Sequence, residues 1–263
     1  MEIFTFSFMI RAFIAGAIIS IICPLIGNFI VLRRLSQIGD TLSHLALAGA
    51  AGSALININP TVGTVVFVVA SSLGIEQMRK SYSRYSEISI AAATFGGMAL
   101  AAILLSISKG STVNLMGFLF GSLGSVTKGD VIIISILGLV VATTICLLFK
   151  ELLFITFDED AASISGIPVN AINTVFTIML ALTIALSMRI VGALLVSALI
   201  VIPSAAALRV AKNFRQTVIY SVSFSFISVF SGIFISYYID LSPGGTIIAI
   251  ALLIMIIVNI LNK

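Results

Sequence analysis

Asp40 and His44 stand four positions apart in Gly39-Asp40-Thr41-Leu42-Ser43-His44, and His44 is the sole histidine of the chain. On a helix that spacing puts both side chains on one face, about 6 Å apart along the axis. A carboxylate and an imidazole so placed can both ligate a divalent transition metal. One chain offers two such ligands, too few for a tight site. A two-fold dimer with both copies of this helix at its axis offers two Asp and two His. Four N/O ligands suit tetrahedral zinc, and an incomplete shell suits a transporter that must release its ion. The spacing alone leaves a second reading open: an aspartate at a helix start near an interface, and a histidine bonded to a neighbouring helix.

The elements that position this pair are those of a membrane protein. Of 263 residues 60% are hydrophobic and 9% charged, against about 25% charged in a soluble domain. Such a chain cannot cover a water-facing surface. A charge at membrane depth normally faces a partner, a pore or a wet cavity. Apolar runs long enough to span, or nearly so, fall at about 8–32, 36–57, 60–75, 88–107, 130–149, 170–188, 190–208, 216–238 and 244–261. The third is short, so the expectation is an all-α polytopic protein of eight or nine transmembrane helices. Residues 1–263 make one membrane domain, and no loop looks long enough to fold alone. Pro24 and Pro203 bend their helices, and Arg11 snorkels towards an interface. In the second span, which carries the pair, Ala46, Gly49, Ala50 and Ser53 suit close helix packing.

Two stretches between the runs have a character of their own. Met116–Gly124 is apolar but too short and glycine-rich to cross, so it reads as a re-entrant or interfacial segment. Residues 157–168 hold the densest acidic group, Asp158-Glu159-Asp160. There Asp158 can cap a short helix, Gly166 can end it, and Pro168 prevents its continuation. The plain alternative is a solvated loop. Asp240, beside Tyr237 and Tyr238, falls at the opposite interface, where tyrosines are common belt residues.

With nine alternating spans the basic residues divide unequally. Arg33, Arg34, Arg79, Lys80, Arg84, Lys150, Arg209, Lys212, Arg215 and Lys263 fall on one side; Arg11, Lys109, Lys128 and Arg189 fall on the other. The richer side is the cytoplasmic one, which places 157–168 and the C-terminus in the cytoplasm. These scattered charges do not make a nucleic-acid surface. Cys23 and Cys146 lie in separate apolar runs without a CxxC spacing, which argues against a disulfide or thiolate site. No Gly-x-x-x-x-Gly-Lys-Ser/Thr occurs, so ATP hydrolysis is expected in a partner and not in this chain.

Val31-Leu32-Arg33-Arg34 through Gly39-Asp40-Thr41-Leu42-Ser43-His44 resembles the permease signature of ATP-binding-cassette importers for zinc and manganese. Leu115–Leu123 and Val191–Pro203 resemble two further signatures of that family, in the same order. The wording Gly-Asp-Thr-Leu-Ser-His-Leu-Ala-Leu-Ala-Gly is more similar to the zinc-uptake branch than to the manganese one. The resemblance implies a homodimeric permease in a bacterial plasma membrane, working with two cytoplasmic ATPase subunits. It also implies an extracytoplasmic metal-binding lipoprotein or periplasmic protein. Zinc or manganese is then substrate and not a resident cofactor. The resemblance puts the coupling helix at 157–168, with Asp158, Glu159, Asp160, Ser163 and Gly166 as ATPase-coupling residues, and makes Asp40 and His44 the metal ligands. Two other classes stay open on the sequence. One is a secondary transporter using the Asp/His pair as a proton relay; the other is a non-transporting membrane subunit.

Overall fold

The computed structural model of the protein describes residues 6–81, 86–107 and 115–261. Arg84, Lys109, Lys263 and residues 108–114 of the mixed stretch before the fifth span lie outside them. The helices are α1 Ser7–Leu32, α2 Ser36–Leu55, α3 Pro60–Ser81, α4 Ser86–Ile107, α5 Leu115–Phe120 and α6 Lys128–Leu147. They continue as α7 Phe149–Phe157, α8 Glu159–Ile164, α9 Val169–Val191, α10 Val196–Val210, α11 Phe214–Ile239 and α12 Pro243–Leu261. A 3-10 turn covers Leu123–Ser125. The chain is thus an all-α polytopic membrane protein.

Among the described residues seven helices are long and apolar enough to cross a membrane: α1, α3, α4, α6, α9, α11 and α12. The 20-residue α2 has the length, but its polar residues, the Asp40/His44 pair among them, dilute its hydropathy. Helix α10 is apolar but has only 15 residues. Short α5 and the 3-10 turn do not cross, as their glycine content suggests.

Three boundaries differ from the sequence expectation. The third run is not short: α3 continues through Glu76 and Arg79, whose side chains pair at 2.7 Å one turn apart. That internal pairing lets an apolar helix run on into charged residues. Residues 149–157 are helix α7 and not a connector. The run 190–208 is split: α9 continues to Val191, Gly192 takes φ 92°, and α10 starts only at Val196.

Close packing centres on small residues, since apolar side chains gain little by leaving lipid for one another. Helix α2 lies between α3, α4, α9 and α10. A Cβ added at Gly49 would lie 2.9 Å from Phe67 Cβ of α3, and Gly63 of α3 lies against Ser53 of α2. Gly27 brings α1 against the Ile200 backbone of α10. The described helices alternate between two ends. One end gathers Arg33, Arg34, Arg79, Lys150, Arg209, Lys212 and Arg215; the other holds Arg11, Lys128 and Arg189. Arg11 Nε donates to the Ser7 carbonyl at 3.0 Å, reaching back towards its helix start.

Candidate functional site

Helix α2 starts abruptly because α1 ends abruptly. Arg34 takes a left-handed φ of 58°. Its N–H donates to Val31 O at 3.1 Å, and that of Leu35 donates to Ile30 O at 3.0 Å, which closes the helix end. Only Leu35 separates this turn from Ser36. Asp40 then falls in the second turn of α2, about 6 Å from its start, and His44 about 12 Å from it.

The two side chains share a face. His44 Nε2 and Asp40 Oδ2 are 3.7 Å apart, too long for a hydrogen bond and well suited to flank an ion. The Asp40 side chain is 52% exposed and that of His44 15%. Gln37, Asp40 and His44 form the least buried stripe of the first half of α2. Gln37 and Asp40 open onto a groove whose other wall is Ser197, Ala198, Val201 and Ile202 of α10. His44, one turn deeper, is outside that lining. Among the described residues no group of three or more His, Cys, Asp or Glu side chains could hold a metal.

The residues of 157–168 that the resemblance assigns to coupling lie at the Arg33 end. The Asp158 carboxylate accepts from Ala161 N–H at 2.9 Å and caps α8, and Gly166 ends the segment with φ 83°. Local cap chemistry therefore folds this segment as its sequence suggests. Glu159, Asp160 and Ser163 are exposed. Glu159 nevertheless accepts from Asn173 Nδ2 at 3.0 Å. A neighbour the sequence reading missed is Ile164, an apolar side chain left 88% exposed at the end of α8.

Two polar clusters also escaped the sequence reading. Arg33 counts in the sequence as one of the basic residues of its side and as part of the first signature, with no partner, yet its guanidinium donates to Thr156 Oγ1 and Asn173 Oδ1, each at 2.9 Å, and to Leu152 O at 3.3 Å. Burial lowers its pKa to about 10, partly restored by Glu159, so it stays protonated at neutral pH. At the other end Arg189 donates to Thr61 Oγ1 at 2.8 Å and pairs with Asp130 at 3.4 Å, tying α9 to α3 and α6. These partners lie far apart in sequence; the only signal was a charge at each end of an apolar run.

The profile of the ABC 3 transport family matches residues 5–262. The High-affinity zinc uptake system membrane protein ZnuB of Haemophilus influenzae is 29% identical, over 92% of this chain and 93% of its own length. The Manganese transport system membrane protein MntC of Listeria monocytogenes is also 29% identical, over 96% of this chain and 90% of its own. The solved structure of PsaBC from Streptococcus pneumoniae in complex with Fab is similar with a TM-score of 0.87. It is 29% identical and covers 98% of this chain and 92% of that one.

Proposed function

The chain belongs to the ABC 3 transport family, and on that premise we propose that it is the permease subunit that admits a divalent metal ion to the cytoplasm. The observation that carries this reading is the Asp40/His44 pair, 3.7 Å apart on one face of α2. The preferred ion is zinc, with manganese next. Relatives named for both metals have similar identity, so the preference rests on the wording around Asp40 and on nitrogen donation by His44.

The permease works as a homodimer. A charge within the membrane normally faces a partner or a wet cavity, so half-exposed Asp40 calls for a cover. A second copy laid over the α2–α10 groove supplies one and completes a shell of two Asp and two His. Ions pass from His44 to Asp40, towards the cytoplasmic ends of the two α2 helices.

Energy comes from two separate ATPase subunits that dock on the Arg33 end. Helix α8 offers them Asp160, Ser163 and the apolar Ile164. An extracytoplasmic metal-binding protein delivers the ion at the Arg189 end. This orientation puts the C-terminus in the cytoplasm of a bacterial plasma membrane and follows the excess of basic residues at the Arg33 end.

The test is zinc and manganese uptake by cells carrying Asp40→Ala or His44→Ala at normal expression. Loss of uptake in both supports the site, and undiminished uptake in either removes that residue from it. Uptake that persists without any ATPase subunit contradicts the energy source.

A further inference from the structure

Arg33 stands between the helix that docks the ATPase and the helix that holds the ion. We propose that Arg33 is a positioning residue that carries movement of α8 to α2, acting through Asn173. The inference rests on the transport reading above and adds to it the physical link between its two halves.

The link starts at α8. Asn173 of α9 has one carboxamide with two uses: Nδ2 donates to Glu159 Oε1 at 3.0 Å, and Oδ1 accepts from Arg33 Nη1 at 2.9 Å. An amide used at both ends is a bridge that cannot shift on one side without altering the other. Glu159 is the first residue of α8. Arg33 is therefore tied to α8 itself through the Asn173 side chain.

The guanidinium is held in a defined pose. Its Nε and Nη2 donate to Thr156 Oγ1 and the Leu152 carbonyl of α7, and its Cζ lies over the Phe176 ring of α9, 4.9 Å from the ring centre. A planar fork with fixed donors passes on direction as well as force, which an ammonium cannot do. Its charge strengthens each bond.

The output side has little slack. Arg33 caps α1, and the closed turn at Arg34 and Leu35 leads directly into Ser36. Asp40 is seven residues beyond Arg33, less than two helical turns along α2. There is also room to move. A cavity of about 240 Å³ beside the network is lined by Ile38 of α2 as well as by Arg33, Glu159 and Asn173. Close-packed helices need such a space to change position relative to one another.

The experiment uses the whole complex of permease, ATPase and metal-binding protein in vesicles, with zinc and manganese as separate probes. The readout is metal ions taken up per ATP hydrolysed. Co-purification of the ATPase checks assembly. Arg33→Gln and Asn173→Ala should each lower the ratio about tenfold, the scale of one lost charge-assisted hydrogen bond. The double variant should lose no more than either single one, because both break the same link. Arg33→Lys should fall between. An unchanged ratio in an assembled Arg33→Gln complex overturns the proposal. So does an equal fall in uptake and hydrolysis, which is the mark of a merely structural role. Should Arg33→Gln fail to assemble, Asn173→Ala decides by the same criteria. A wild-type complex that takes up neither ion overturns the transport reading itself, and this inference with it.

Discussion

Arg189 and Asp130 meet at 3.4 Å, with the Asp130 side chain 1% exposed and Arg189 14%. Thr61 sits between them, donating to Asp130 Oδ1 at 2.5 Å and accepting from Arg189. The pair fastens three helices from distant parts of the chain at the end away from α8. Asp130 also completes the capping box of α6, exchanging bonds with its N-cap Thr127.

Removing one partner strands the other charge in a poorly solvated place. Asp130→Ala is expected to destabilise the permease by about 3–5 kcal/mol, the usual cost of breaking a buried ion pair. Thermal unfolding in detergent reads this. Replacing Asp130 and Arg189 together by Leu and Met should restore part of the loss.

In the proposed dimer the α2–α10 grooves lie face to face. Cysteines introduced singly at Gln37 or Ser197, with exposed Cys146 changed to Ser, should cross-link to the same residue of a second copy under mild oxidation. A cysteine at Phe95, 70% exposed on α4, should not. The product on a denaturing gel decides between this arrangement and a monomer.

On α8, Ile164→Asp should abolish co-purification of the ATPase subunits while leaving the permease folded. The side chain is 88% exposed and packs little within the chain. An apolar anchor in a partner's pocket is worth at least 1 kcal/mol, and burying a carboxylate there reverses the sign. Asp158→Ala should act more mildly, by the loss of one N-cap, about 1 kcal/mol. Pull-down from detergent extracts distinguishes the two.

Gly27→Ala should separate α1 from α10, because an added Cβ would overlap the Ile200 carbonyl and crowd Ser204. Backbone cannot yield as a flexible side chain can. The cost is on the order of 1–3 kcal/mol. Lower heat resistance, or a lower yield of folded protein in detergent, is the measurement. Gly52→Ala, whose nearest contact is a Leu104 methyl at 3.6 Å, serves as the neutral control.

What was legible in the sequence was local. Asp158 and Gly166 bracket α8 because cap chemistry is settled within a few residues. Asp40 and His44 share a face because helical geometry requires it. The long-range polar partners were not legible: Arg33 reaches Asn173 across 140 positions and Arg189 reaches Thr61 across 128. Such pairs leave no period in the sequence. Nor was the start of α10 visible. Residues 190–202 are an almost unbroken apolar run, and only the φ of 92° at Gly192 shows that the chain turns there. Helix α7 was hidden for a related reason: its nine residues follow a span directly and carry Lys150 and Glu151, which resemble a connector.

The shortness of α10 bears on which part of the chain fills the rest of the membrane depth. Fifteen residues reach about 22 Å, against a hydrocarbon layer of about 30 Å. The turn before α10 therefore falls within that depth, where its Ala193 and Leu194 N–H groups are satisfied by Phe118 O at 2.8 Å and Leu119 O at 3.3 Å. Helix α5 thus plugs the length that α10 leaves unspanned. In the proposed orientation a cysteine in place of Leu194, 40% exposed, should react with a charged, impermeant thiol reagent from outside.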